Sequence, residues 1–270
     1  ALEAGGDTDA GDTVISGGDE NQIMVWDVPS GDLKNITDKL ATSQKIYDMS
    51  LSADNRYAAV ALNEGVIEIW DLYKKTRDKK IEIPESEKTG FTFIAYLPNE
   101  SNILTGSEDG FIRLWGISAS TLIWEKTSAN QFDHPNEINA VKTAAVSDNG
   151  TTLVVGFADG LVEVWDLTDI TNQSPKVTAS KALGSTPIKG VIISADDQVI
   201  AYQGGNSFVK LLSIANDSQS AQISGRLPRG NPISPDSKMI GIIQIEDTKN
   251  IINLHSLSPT APQSMFKLYN

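Results

Sequence analysis

At 270 residues, with 40 % hydrophobic and 21 % charged residues, the chain has the composition of a globular protein large enough for one sizeable core. It contains no cysteine, which excludes disulfides, thiolate metal sites and a cysteine nucleophile. A net charge of −13 and a pI near 4.6 repel phosphate backbones and anionic lipid, so nucleic acid is not an expected partner, and no apolar run reaches the ~20 residues of a bilayer-crossing helix.

The chain opens on Ala1 with no readable targeting segment, and the working localisation is cytoplasmic. The first unit begins inside an opening strand, turns at Asp9-Ala10-Gly11-Asp12 and reaches the apolar strand Ile23-Met24-Val25-Trp26. A second unit runs from a strand at Ile46 to Leu51 through the turn Ser52-Ala53-Asp54-Asn55 and a strand at Tyr57 to Leu62, then into Ile67-Glu68-Ile69-Trp70. The third has a strand from Phe91 to Tyr96, the turn Leu97-Pro98-Asn99-Glu100, the strand Ile112-Arg113-Leu114-Trp115 and an outer strand at Thr121 to Lys126. The fourth repeats the order with Val141 to Val146, Ser147-Asp148-Asn149-Gly150, Thr152 to Phe157 and Val162-Glu163-Val164-Trp165. The fifth follows with Ile188 to Ile193, Ser194-Ala195-Asp196-Asp197 and Val209-Lys210-Leu211-Leu212. The sixth has Pro228 and Pro232 near its first strand, then Ser234-Pro235-Asp236-Ser237, Ile252-Asn253-Leu254-His255 and an outer strand from Met265 to Tyr269.

The bulky residue closing each apolar strand recurs every 43 to 50 residues. It follows the third turn residue by 16 positions in four copies and by 19 in the last. Two landmarks held in register define one repeated unit, with boundaries near 1–40, 41–86, 87–130, 131–180, 181–224 and 225–270. Asp, Asn, Ser, Pro and Gly supply the tight turns, and Glu108-Asp109-Gly110 and Ala158-Asp159-Gly160 supply hairpins in which glycine takes a positive φ. Four short antiparallel strands per unit, apolar on both faces, bury themselves only by stacking on neighbours, which predicts a β-propeller. A parallel β-helix or a β-sandwich leaves the periodic Trp unexplained.

At Trp26-Asp27, Trp70-Asp71 and Trp165-Asp166, with Trp115-Gly116 a near miss, the chain resembles the WD40 family from about Asp9 onward. The resemblance implies an all-β propeller of four-stranded blades, here six units, either a six-bladed ring or part of a seven-bladed one, forming a single domain over 1–270 that is complete or part of a longer chain. Family members commonly place a Gly-His pair ahead of each unit, whose His bonds the hairpin Asp and, through Ser or Thr, the Trp. This chain has only His134 and His255, neither after glycine, so Asp109 and Asp159 lack that partner. Units five and six replace Trp by Leu212 and His255.

Catalysis needs convergent groups, and the first strands offer Asp48 and little that recurs. His134 in a loop and His255 at a Trp position make a poor zinc pair, and one acid per hairpin does not make a calcium loop, so neither metal nor cofactor is expected. The sequons at Asn35 and Asn149 carry no weight without evidence of secretion. The expected function is a non-catalytic protein-interaction scaffold or sensor, within a larger complex or chain. The alternative is a propeller enzyme or small-ligand binder that uses the central channel. Carried over by position, the resemblance places partner contacts at Asn63, Glu64, Glu108, Asp109, Phe157, Ala158, Gly205 and Asn206 in the hairpins. The loop Gln131-Phe132-Asp133-His134 joins them through Phe132 and His134. Each of these acids is individually a turn former and Phe157 a strand end. Together they make an acidic face, which favours a Lys- or Arg-bearing protein or peptide.

Overall fold

The computed structural model describes all residues except 1, 6–12, 20, 28–31, 36–43, 85–88, 99–100, 129–138, 171–174, 183–185, 206–207, 215–219, 229–231, 235, 247–248, 258–263 and 269–270; side chains of a few strand residues also lie outside the described set. Among the described residues the structure is all-β, with one 3-10 turn at Asn63–Gly65. The chain divides into two compact units, Ala1–Val141 and Lys142–Asn270.

In the first unit the strands form three sheets in sequence order. They are β1 (Leu2–Gly5), β2 (Thr13–Ser16), β3 (Met24–Asp27) and β4 (Asp32–Asn35); β5 (Ile46–Leu51), β6 (Tyr57–Leu62), β7 (Val66–Asp71) and β8 (Thr76–Glu82); and β9 (Phe91–Tyr96), β10 (Asn102–Ser107), β11 (Ile112–Gly116) and β12 (Thr121–Lys126). The second unit, which takes all but the first residue of β13, holds β13 (Val141–Val146), β14 (Thr152–Phe157), β15 (Leu161–Asp166) and β16 (Lys176–Ala182). It continues with β17 (Gly190–Ile193), β18 (Val199–Gln203), β19 (Phe208–Ser213) and β20 (Ser220–Ser224), and ends with β21 (Met239–Glu246), β22 (Lys249–Ser256) and β23 (Ser264–Leu268). Every pairing is antiparallel between neighbours in sequence.

Strand alternation explains why the sheets stack. In β6 the sequence Tyr-Ala-Ala-Val-Ala-Leu is buried along nearly its whole length. Ala58, Val60 and Leu62 face one core with Ile15, Ile46 and Trp70, while Ala59 and Ala61 face the other with Ile69, Phe91 and Trp115. The second unit does the same: Ile200 and Tyr202 pack with Val154 and Val164, and Val199 and Ala201 with Ile240 and Ile242. Each buried Val, Leu or Ile contributes about 1.5–3 kcal/mol, so a sheet covered on both sides is the stable arrangement.

The turn read from Ser-x-Asp recurs with one hydrogen-bond pattern. The Ser52 hydroxyl donates to Asp54 Oδ1 at 2.6 Å and accepts the Tyr57 N–H at 2.8 Å, while Asp54 accepts the Arg56 N–H at 2.9 Å. Ser147 with Asn149, Ser194 with Asp196 and Ser234 with Asp236 repeat it. Among the described residues the sixth unit has three strands. Near Pro228 and Pro232 the bridges Arg226↔Ile243 and Ile233↔Ile240 line the edge of β21, and proline itself has no N–H to donate along a ladder. The Pro232 carbonyl still accepts the Gly241 N–H at 2.9 Å.

Candidate docking surface at the hairpin end

In each complete sheet the start of the first strand, the turn between the second and third strands and the end of the fourth strand lie at one end. The registers Ile46↔Leu62 and Val66↔Glu82 show this for β5 to β8. Glycine makes two of these turns: Gly110 has φ 83° and Gly160 φ 87°, the left-handed region that costs an L side chain about 1–2 kcal/mol. The turn after β6 instead puts Glu64 at φ 57° ahead of Gly65 at φ 73°.

In the first unit this end presents Asn63, half-buried, and Glu64, exposed, from one sheet, and Glu108, exposed, from the next. Tyr47, 42 % exposed, donates from its hydroxyl to Asn63 Oδ1 at 3.4 Å. The ammonium of Lys45 lies 5.6 Å from the Tyr47 ring centre and 2.9 Å from Asp19, whose carboxylate holds that lysine above its ordinary range. Tyr47 and Lys45 escaped sequence reasoning, although alternation along β5, with Ile46 inward and Tyr47 outward, is the signal that finds them.

Asp109 is already occupied. It accepts the Phe111 N–H at 3.0 Å, the Ser107 hydroxyl at 2.5 Å and the Arg113 guanidinium at 2.7 Å. Arg113, 2 % exposed, also bonds Ser107 Oγ and Glu125 Oε2, and its guanidinium carbon sits 4.8 Å from the Phe111 ring centre. The Trp115 indole N–H reaches Thr105 Oγ1 at 2.9 Å. Arg113 is thus the side-chain cation on Asp109, whose histidine partner is missing from the sequence, and a Thr–Trp link is present. In the second and fourth sheets a fully buried glutamate takes the indole proton instead: Trp70 donates to Glu68 at 3.1 Å and Trp165 to Glu163 at 3.0 Å. Arg77 caps Glu68 at 2.6 Å.

The aspartates after Trp close turns. Asp71, 1 % exposed, accepts the N–H groups of Tyr73 and Lys74 and the guanidinium of Arg56. Burial pushes its carboxyl up, but the Lys74 N–H and Arg56 outweigh that and hold it below the usual range. Asp166 takes the Thr168 hydroxyl and N–H, which lower it likewise. Trp26 and Asp27 lie on β3 opposite Val14 and Thr13, with side chains outside the described set.

In the second unit Phe157 is fully buried, so its side chain belongs to the core and only its carbonyl reaches the turn, accepting the Ile188 N–H at 3.0 Å. Ala158 is half-buried, and Gly205 is exposed with its N–H on Thr186 Oγ1 at 3.2 Å. Phe132, His134 and Asn206 lie outside the described residues. His255 is 7 % exposed, burial holds its imidazole below its ordinary range, and its Nε2 has no partner among the described residues. That placement fits packing. Asp48 is bonded across sheets: its carboxylate accepts the Ile94 N–H at 2.9 Å while the Ser50 hydroxyl accepts that of Tyr96 at 3.0 Å. Burial pushes Asp48 up to about 6.

No group of three or more His, Cys, Asp or Glu positioned for a metal occurs among the described residues. A cavity of about 360 Å³ beside Trp165 and Asp166 is lined by Thr151, Thr152, Thr168 and Thr178, and Asp166 is already spent on Thr168. No helix among the described residues is long and apolar enough to cross a membrane.

Comparison with known proteins follows the same repeat. Residues 81–116 and 126–166 match the WD domain, G-beta repeat model. Human cilia- and flagella-associated protein 52 is 30 % identical over 158 residues, covering 57 % of this chain and 23 % of that protein. Protein groucho of Drosophila melanogaster is 23 % identical over 154 residues, covering 57 % of this chain and 20 % of that one. The matches thus span no more than about a quarter of these relatives' length. A chain in a solved structure described as a crystal structure of the mitotic checkpoint complex superposes on 99 % of this chain and 76 % of its own, with a TM-score of 0.77 at 18 % identity, which establishes a shared fold.

Proposed function

We infer that the chain, whose residues 81–116 and 126–166 match the WD domain, G-beta repeat, is a WD40-repeat β-propeller acting as a non-catalytic protein-interaction scaffold whose hairpin end docks partner proteins. The observation that carries this reading is the turn surface of the first unit, where Glu64 and Glu108 are exposed at the ends of two sheets and the exposed Tyr47 is bonded to Asn63 in the same turn as Glu64. Exposed carboxylates and an exposed aromatic at one end of the sheets suit a Lys- or Arg-bearing segment, because the ring supplies contact area and the acids steer the approach. Glu64 adds a second argument. A glutamate at φ 57° is conformationally costly where Asn or Gly would be relaxed, and such residues concentrate at functional positions. Asp109 supports the surface from behind, through Arg113, rather than meeting a partner.

The relatives' names tie the matched repeats to cilia- and flagella-associated and other proteins of greater length, which suits a module working inside a larger assembly. The test is affinity capture with quantitative mass spectrometry on the wild type and on Glu64→Lys/Glu108→Lys. A defined set of partners carrying basic segments, captured by the wild type and lost from the variant, is the expected result. Equal recovery from both would remove the hairpin end from the reading. Binding of a small molecule with turnover would favour an enzyme.

A further inference from the structure

The outer strand β8 reverses the charge of the molecule. Against a net −13, Lys74, Lys75, Arg77, Lys79 and Lys80 fall within one turn and the strand that follows it, with Asp78 and Glu82 as the local acids. Beside them Tyr73 is 87 % exposed. Some of this charge is internally balanced: Arg77 pairs with Glu68, and Lys80 with Glu82. Other positive charge is left over. Asp71 serves both Arg56 and Lys74, at 3.0 and 3.5 Å. Lys79 donates to the neutral carbonyl of Ser118 at 3.0 Å rather than to a carboxylate. No hydrogen bond or ion pair involves Lys75 among the described residues.

Among the described residues β8 is the last strand of its sheet and pairs only with β7, which presents its other edge to a further strand. The register Glu68↔Lys80 and Ile69↔Lys79 sends Lys80 and Lys79 to opposite faces of the sheet. An extended peptide added along that edge would alternate its own side chains between the same two faces. Lysine on an edge strand also discourages unwanted pairing, and one or two such residues suffice for that. The other outer strands are sparser: β12 has Lys126 beside exposed Leu122 and Ile123, β16 has Lys176 and Lys181, and β20 has no basic residue.

We propose that the edge of β8, with Tyr73 and the surplus charge of Lys74, Lys75 and Lys79, docks an acidic extended segment of a partner protein by strand addition. The site is separate from the hairpin end and of opposite charge. Its recognition chemistry is backbone pairing plus carboxylates on alternate residues.

The probe is a fluorescein-labelled peptide alternating Glu and Val and matched to the seven residues of β8, with a Lys/Val peptide as its counterpart. The wild type is expected to bind the Glu/Val peptide in fluorescence anisotropy and to slow hydrogen exchange at β8 amides. Lys75→Glu/Lys79→Glu should weaken binding by about tenfold or more, while the charge-matched Lys142→Glu/Lys189→Glu leaves it within about twofold. Lys75→Gln/Lys79→Gln, with melting curves for every variant, keeps the result readable if charge reversal disturbs folding. The proposal is overturned by no binding, by equal weakening in the control, or by equal binding of a single-stranded oligonucleotide. It is likewise overturned if sedimentation shows the edge taken by a second copy of this chain.

Discussion

Asp48 does two opposed things at one position. Its carboxylate satisfies the Ile94 N–H on the open edge of the neighbouring first strand, and burial makes its charged form costly, pushing it up to about 6. Because the folded state binds this proton more tightly than the unfolded one, the carboxyl favours folding below about pH 4, and that contribution is lost as pH rises through about 6. Asp48→Asn keeps an acceptor for Ile94 and removes the titration. Between pH 4 and pH 7.5 the variant should gain up to about 3 kcal/mol on the wild type in urea unfolding. A pH-independent difference would mean that Asp48 is not desolvated. His255 has the opposite sign. Its imidazole is held below the ordinary range by burial, so the unfolded chain takes up the proton first and stability falls with acidification below about pH 6.5. His255→Leu should therefore stabilise the protein more at pH 5 than at pH 8 in the same assay. Arg113 is a third decisive residue. Its removal takes the cation from Asp109 and Glu125 at a nearly buried site, and Arg113→Met should cost about 2–4 kcal/mol.

Among the elements, the turns carry the clearest energetic signature. Ser120, in the turn between β11 and β12, sits at φ 53°, where glycine is at ease. Ser120→Gly should raise stability by about 0.5–1 kcal/mol, and Gly110→Ala, at φ 83°, should lower it by about 1–2 kcal/mol. A thermal-melt pair reads both. The strands themselves were legible in the sequence because alternation and turn chemistry agree: β5, β6, β9, β12, β13 and β14 have the ends anticipated from their flanking turns. What was illegible is instructive. The residue between the two apolar positions of each Trp strand reads only as variable, yet Glu68 and Glu163 are fully buried there and Arg113 nearly so. A charge at one fixed offset before three Trp residues was the available signal. Phe157 misleads for the converse reason: a large apolar residue beside a hairpin can cap the core beneath the turn rather than face outward. Among the described residues the sixth unit's inner edge is held by two bridges; the lack of an N–H at Pro232 was readable, the bridges were not.

At the scale of the whole chain, charge decides how partners arrive. A net −13 with the exposed acids at the hairpin end makes a long-range field that attracts cations, while the β8 edge stands out within it as a short-range positive island. At physiological salt the potential of exposed charges falls off over about 8 Å, so the two surfaces can act independently once a partner is near either one. The hairpin end is reached through the global field and should lose association rate steeply with salt, whereas β8 must win an acidic segment against the surrounding repulsion. Salt therefore separates the two sites by sign. From about 0.02 to 0.3 M NaCl, stopped-flow association of the Lys/Val peptide should slow by about tenfold with little change in dissociation. Association of the Glu/Val peptide should change much less, or accelerate, because screening the net negative charge offsets the weakening of its contacts with β8. Parallel slowing of both peptides would show that one undifferentiated surface binds them, and the assignment of opposite roles to the hairpin end and the β8 edge would fall.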